Sequence, residues 1–177
     1  MSVDPKDQSE NFYLTGESVS DSKPYEYRTC GLDGIFLLNG FEMREHDGEL
    51  HVSINEIDEL HLAIGKHLVT HRKALVPKEI RFLRKTMGMS QADLGEELGK
   101  TSQSVARWEK GTHDIPGSAE KLLRAIFVAR SLMDDDDLVT LRTLLVEKLG
   151  ELDAIDELQT RPVQFSLTNH WTENEAA

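Results

Sequence analysis

Ser90-Gln91-Ala92-Asp93-Leu94-Gly95-Glu96-Glu97-Leu98-Gly99-Lys100-Thr101-Ser102-Gln103-Ser104-Val105-Ala106-Arg107-Trp108-Glu109-Lys110-Gly111 is the stretch that decides the fold. Ser90 and Thr101 are residue types that cap helix N-termini, and Gly99 and Gly111 suit the left-handed stops that end helices. Two short helices joined through Gly99-Lys100-Thr101 have the length of a helix-turn-helix. Such a unit needs a small residue where the helices cross, which Gly95 supplies. It needs an apolar residue of the second helix facing the core, which Val105 supplies, and Trp108 is placed to plug the base. Ser102, Gln103, Ala106, Arg107 and Lys110 are left for the outer face. Gln103 and Arg107 are four apart and project side by side. Glutamine suits adenine and arginine suits guanine in the major groove, each through two hydrogen bonds.

Working outward, Val76-Pro77 opens a preceding helix with proline in its first turn. Ile80, Leu83 and Phe82 face inward, and Gly88 ends it. Ser118 to Met133 reads as a following helix, apolar at Leu122, Leu123, Ile126 and Phe127. The acidic run Asp134 to Asp137 is the expected first turn of a further helix carrying Leu138, Leu141, Leu145, Leu149 and Leu152. That leucine stripe, or the N-terminal unit, is the expected dimer contact. Upstream, Ile35-Phe36-Leu37-Leu38, Asn39-Gly40 and Phe41-Glu42-Met43 give a hairpin signal with a type I′ turn. Asp47-Gly48 marks a second turn, and Leu50 to Ser53 a third short strand. Ser53-Ile54-Asn55-Glu56 reads as a capping box for a helix with Ile57, Leu60, Ile64 and Leu68 on one stripe. The polar tail from Arg161 contains only Val163, Phe165 and Leu167 in strand-like alternation.

The chain has 177 residues, 38% hydrophobic and 29% charged, with a formal net charge of -12. No apolar run approaches the roughly 18 residues that span a bilayer, and the polar, acidic start is not a secretory signal. A single cysteine, Cys30, excludes an internal disulfide and a cysteine-rich zinc site, and points to a reducing, cytoplasmic compartment. The charge is unevenly spread. Residues 71–130 hold 12 Lys+Arg against 7 Asp+Glu, residues 1–70 hold 5 against 14, and residues 131–177 hold 3 against 11. A local basic surface is what phosphate contact requires, whatever the total.

The segments Glu79 to Arg84, Ser90 to Gly95 and Ser104 to Gly111 resemble the Xre-type (phage-repressor-like) helix-turn-helix family. Within it they are most similar to the C-terminal domain of MqsA-like (YgiT-like) antitoxins. The resemblance implies a five-helix domain, a recognition helix from Ser102 to Lys110 and homodimers on palindromic operators. It also implies that Gln91 contacts the DNA backbone and that Arg84 pairs with Glu109. The MqsA-like proteins hold zinc through paired Cys-x-x-Cys motifs, which this chain lacks.

The expected fold is mainly α, a five-helix helix-turn-helix domain with a small N-terminal β-hairpin plus helix unit. Its parts are a flexible tail (1–24), the β+α unit (25–72), the DNA-binding domain (73–133), a C-terminal helix (134–160) and a tail (161–177). The candidate DNA-contacting residues are Gln91, Lys100, Thr101, Ser102, Gln103, Ser104, Ala106, Arg107 and Lys110. Lys73, Lys78 and Lys85 are further phosphate candidates. His67 and His71 have the i,i+4 spacing of a helical metal pair, but His61 lies on another face. With no third ligand evident, the reading is a solvated pair and no metal or cofactor. The run at Asp134 lacks the glycine and spaced glutamate of a calcium loop. Cys30 with His46 or His51 forms no recognisable nucleophile motif, so no catalytic residue is assigned. The expected function is a sequence-specific repressor, in an antitoxin or mobile-element operon, that binds palindromic double-stranded DNA as a homodimer. A cognate toxin is a further candidate partner, and a membrane is not. Two alternatives stay open: a free-standing regulator without a toxin, and an interaction module that neutralises a basic partner through the acidic flanks.

Overall fold

The computed structural model describes residues 24–46, 48–131 and 162–174. Among them are six strands and five helices: β1 (Tyr25–Glu26), β2 (Ile35–Leu37), β3 (Phe41–His46), β4 (Glu49–Ile54), α1 (Ile57–His71), α2 (Pro77–Thr86), α3 (Gln91–Glu97), α4 (Ser102–Lys110), α5 (Gly117–Ser131), β5 (Val163–Leu167) and β6 (Trp171–Asn174). The strands form a four-stranded sheet in the order β1-β2-β5-β6 and a separate β3-β4 hairpin. This is more β structure than the mainly α expectation allowed. The four helices read between Val76 and Met133 are α2 to α5. The fifth helix, its leucine stripe, the acidic run and the N-terminal tail lie outside the described residues.

The Asn39-Gly40 hairpin expectation is corrected. β2 pairs antiparallel with β1 and parallel with β5, while β3 pairs with β4 (His46↔Glu49 to Phe41↔Ile54). Asn39-Gly40 instead carries the chain from one sheet to the other. The Asn39 carboxamide accepts from the Leu167 N–H (2.6 Å) and donates to the Leu167 carbonyl (3.1 Å), so it extends the β2–β5 ladder by one side-chain rung. Gly40 lies under the Trp171 ring, where a Cβ would come within 2.5 Å of a ring carbon. The Trp171 indole N–H donates to the Asn55 carbonyl at 3.1 Å. The turn at Gly48 between β3 and β4 is as read.

The strand-like alternation at Val163, Phe165 and Leu167 is β5, but this strand is paired within the sheet rather than part of a polar tail. Val163 and Phe165 are buried in the central pairing with β2, and β6 folds back on β5 antiparallel. The Ser53 capping box does not form. β4 runs through Ile54, and α1 begins after Glu56, a left-handed residue (φ 47°) that makes no side-chain cap bond. Leu60, Ile64 and Leu68 are buried as expected, whereas Ile57 faces solvent. On α5, Leu123 and Phe127 are buried, Ile126 is half-buried and Leu122 is exposed.

One hydrophobic core runs from the sheet through α1 into the helix-turn-helix helices, so the 25–72 and 73–133 segments are not independently packed. Gly65 marks the tightest crossing. A Cβ there would lie 2.1 Å from the Phe127 ring tip, so the α5 ring seats directly on the α1 backbone. The His61 ring sits edge-on to Phe82 (centroids 5.5 Å apart), and the Tyr27 hydroxyl bonds its Nε2 at 2.9 Å. Burial pushes the Tyr27 phenol up to about 12 and the His61 imidazole down, so both stay neutral in this seam at physiological pH.

Candidate nucleic-acid interface

Local chemistry builds the helix-turn-helix as the sequence indicates. Glu79 Oε2 accepts the Val76 N–H (2.9 Å) at the start of α2. Ser90 Oγ accepts the Asp93 N–H (3.1 Å), and Asp93 returns the bond to the Ser90 N–H (2.8 Å), which closes a capping box on α3. Thr101 Oγ1 accepts the Ser104 N–H (3.2 Å) to cap α4. A Cβ on Gly95 would lie 2.9 Å from the Lys100 carbonyl oxygen, so only glycine lets the turn close over α3. Val105 and Trp108 are buried.

What these bonds present is one face of α4. Ser102, Gln103, Arg107 and Lys110 are exposed, with Thr101 and Lys100 beside them at the helix start. Ser104 and Ala106 are half-buried, and the Ser104 hydroxyl is engaged with Thr101 Oγ1 at 3.0 Å. The helix N-terminus carries unpaired N–H groups and a positive dipole end, both favourable to a phosphate.

Glu109 organises the underside of this face. Its side chain is 1% exposed and takes bonds from Arg84 Nε (2.5 Å), Arg84 Nη2 (3.0 Å) and Gln91 Nε2 (2.8 Å). Arg84 Nη1 also donates to the Met89 carbonyl (2.7 Å), and Arg81 Nη2 donates to the Glu109 carbonyl (3.0 Å). The pairing of Arg84 with Glu109 is therefore present. Gln91 is half-exposed at the first turn of α3, oriented by Glu109 through one amide hydrogen; its second has no partner among the described residues.

Burial alone would raise the Glu109 carboxyl. The hydrogen bonds from Arg84 and Gln91 and the charges of Arg84 and Arg81 outweigh it and hold it below its ordinary value of 4.5. A depressed carboxylate contributes stability that is fully present above the unfolded value and is lost as pH falls through the folded one. The urea midpoint of the parent chain should thus exceed that of Glu109→Gln by a constant margin above about pH 4.5. The margin should shrink on further acidification. A margin independent of pH would show that the charge on Glu109 stabilises nothing.

Pairing also sorts the basic block. Arg72 faces Glu79, Lys78 faces Asp33, Arg81 and Arg84 face Glu109, Arg124 faces Glu120, and Arg130 faces Glu97. Lys78, a phosphate candidate, is thus engaged by a neighbour. Lys100, Arg107 and Lys110 form no ion pair among the described residues. Their uncompensated charge lies on and beside α4.

The expectation that His67 and His71 form a solvated pair without a third ligand is corrected. His67 is buried, and Glu173 from β6 reaches its Nδ1 at 2.7 Å. Sequence spacing gives no warning of Glu173, because it arrives through β5–β6 pairing from 106 residues away.

Four helices, a glycine-closed turn and an outward basic helix define a helix-turn-helix domain. Residues 80–127 match the HTH_3 family model, described as helix-turn-helix. The chain is similar to two curated proteins, each called an uncharacterized HTH-type transcriptional regulator, from Sinorhizobium medicae (strain WSM419) and Rhizobium meliloti (strain 1021). Each is 46% identical over 43 residues, 24% of this chain. The matched region spans 31% of the length of those relatives. No solved structure matches the chain. No described helix is long and apolar enough to cross a membrane.

Proposed function

We propose that this chain is a sequence-specific DNA-binding transcriptional regulator that reads the major groove with α4. The observation that carries the reading is the exposed α4 face, where Gln103 and Arg107 project one turn apart and Lys100, Arg107 and Lys110 carry unpaired positive charge. The helix-turn-helix match and the similar regulators support it. A single recognition helix covers too few base pairs to pick out one genomic site. The chain therefore acts as a homodimer on a palindrome, with half-sites about one helical turn or a multiple apart. It represses its own operon, in the antitoxin-like setting that its likeness to MqsA-type proteins implies, and its acidic flanks suit a basic toxin partner. Selection from random duplex DNA tests the reading. A palindromic motif is expected, and recovery of no enriched sequence would defeat it.

Lys100→Ala separates positioning from reading. Lys100 is exposed at the turn before α4, beside the face proposed to enter the groove. Its loss should weaken operator and random DNA about equally and lower the slope of log affinity against log salt by roughly one unit. An unchanged slope would remove Lys100 from the phosphate contacts.

A further inference from the structure

The last turns of α1 and the outer strand β6 bring together three metal-ligating side chains that the helix-turn-helix does not use. One donor atom each from His67, His71 and Glu173 lies within 4.8 Å of the other two. The two imidazoles stack one turn apart, ring centroids 5.0 Å and planes 10° apart. The His67 ring is fixed on its other side by Phe165, edge-on at 6.5 Å.

We propose that His67, His71 and Glu173 form a binding site for a divalent transition-metal ion, with Zn²⁺ the best match, that clasps the C-terminal hairpin to α1. Two imidazole nitrogens and one carboxylate oxygen are the donor set of a borderline ion, and they leave a fourth, exchangeable position for water. Neutral imidazole must present a lone pair, and the surroundings of His71 arrange that. The Thr70 hydroxyl has one hydrogen and donates it to the Lys66 carbonyl (2.7 Å). Its oxygen therefore accepts from His71 Nδ1, 2.7 Å away, which leaves the lone pair on His71 Nε2. On His67, Nδ1 points at Glu173 Oε2, and the ion takes the place of the hydrogen between them. That hydrogen shifts to Nε2 of a neutral ring or leaves an imidazolium as a proton. Donors about 2.0–2.2 Å from a tetrahedral ion stand roughly 3.3 Å apart. His71 is exposed, so its ring can close the remaining gap without disturbing the core. Arg72, the nearby cation, is faced by Glu79 at 3.3 Å, which offsets its repulsion of the ion.

Without an ion, the His67–Glu173 contact is an ordinary hydrogen bond, and the two states differ measurably. Untagged full-length chain, stripped with chelator, is titrated calorimetrically with Zn²⁺. One ion per chain is expected, with a rise in melting temperature at excess metal. His71→Ala and Glu173→Gln should each weaken binding on the order of tenfold or more, since even an outer partner of a metal ligand is worth roughly 10–100-fold. Both variants should melt close to the parent without metal, because neither residue is buried. His51→Ala, which breaks the His46–His51 ring pair on the other sheet, should bind as the parent does. Backbone amides of Trp171–Asn174 should exchange more slowly with Zn²⁺ in the parent only. No Zn²⁺ uptake by the parent, parent-like binding by His71→Ala or Glu173→Gln, or loss of binding in His51→Ala would overturn the site. Uptake that leaves the Trp171–Asn174 exchange unchanged would overturn the clasp.

Discussion

Arg124→Ala is expected to lower stability by about 3–5 kcal/mol and to destabilise the sheet and the helix-turn-helix together in one transition. The Arg124 guanidinium is 3% exposed. Nη1 donates to the Leu68 and Val69 carbonyls (3.1 and 3.0 Å) in the last turn of α1, where backbone acceptors run short of partners within a helix. Nε and Nη2 both reach Glu120 Oε1 (3.1 and 2.6 Å), which also takes the Leu75 N–H at 3.2 Å. One side chain therefore ties α5, the end of α1 and the linker into α2. Alanine leaves two carbonyls and a carboxylate in a nearly dry place with their charge or lone pairs unmatched, and that penalty sets the size of the loss. Arg130→Ala is the control. Its bond to Glu97 joins side chains 49% and 40% exposed, so its loss should cost about 0–1 kcal/mol. Denaturant unfolding followed by amide resonances of Ile35–Leu37 and of Ser102–Lys110 makes the comparison. Separate midpoints for the two regions, or an Arg124→Ala loss no larger than that of Arg130→Ala, would contradict the single core.

The helix-turn-helix was legible in the sequence because its signals are local. Ser90 and Thr101 find their cap partners three residues on, and Gly95 meets the turn that follows its own helix. Each of those interactions closes within a few residues, so residue type and spacing suffice. The β structure is legible as strands and, at Gly48, as the β3–β4 turn, but not in its long-range pairs. Asn39 and Leu167 are 128 residues apart, and nothing in the neighbourhood of Asn39 distinguishes a side-chain rung from a type I′ turn. The same distance hid the binding of Val163 and Phe165 beside β2, and with it the approach of Glu173 to His67. Ser53 misled because β4 runs through it to Ile54, and pairing with Phe41–His46 holds its backbone extended. For the candidate interface, the sequence indicated which face of α4 turns outward. It gave no sign that Lys78 is occupied by Asp33, or that Glu109 holds the Gln91 amide.

Arg107→Ala is expected to cost on the order of 1–3 kcal/mol of operator binding per half-site and to relax preference at one base pair. In a dimer on two half-sites that is about 2–6 kcal/mol, roughly thirtyfold to more than ten-thousandfold in affinity at 1.4 kcal/mol per tenfold. Arg107 is exposed and forms no ion pair among the described residues, so its guanidinium costs little to redirect toward a base. Its backbone is not free to follow. The carbonyl takes bonds from the Gly111 cap and from the Thr112 hydroxyl (3.2 Å), which fix the end of α4. Ala106 beside it is small enough to let the helix axis approach the groove, or to meet a thymine methyl. Arg107→Lys should recover phosphate attraction but little of the base preference, because an ammonium lacks the planar fork that matches guanine. Melting temperatures should stay near that of the parent in both variants, since the side chain is outside the core. Competition between the selected operator and random duplex of equal length reads the effect directly. If Arg107→Ala retains full operator preference with an unchanged melting temperature, the α4 face is not the reading surface. The sequence preference would then have to come from another surface of the chain.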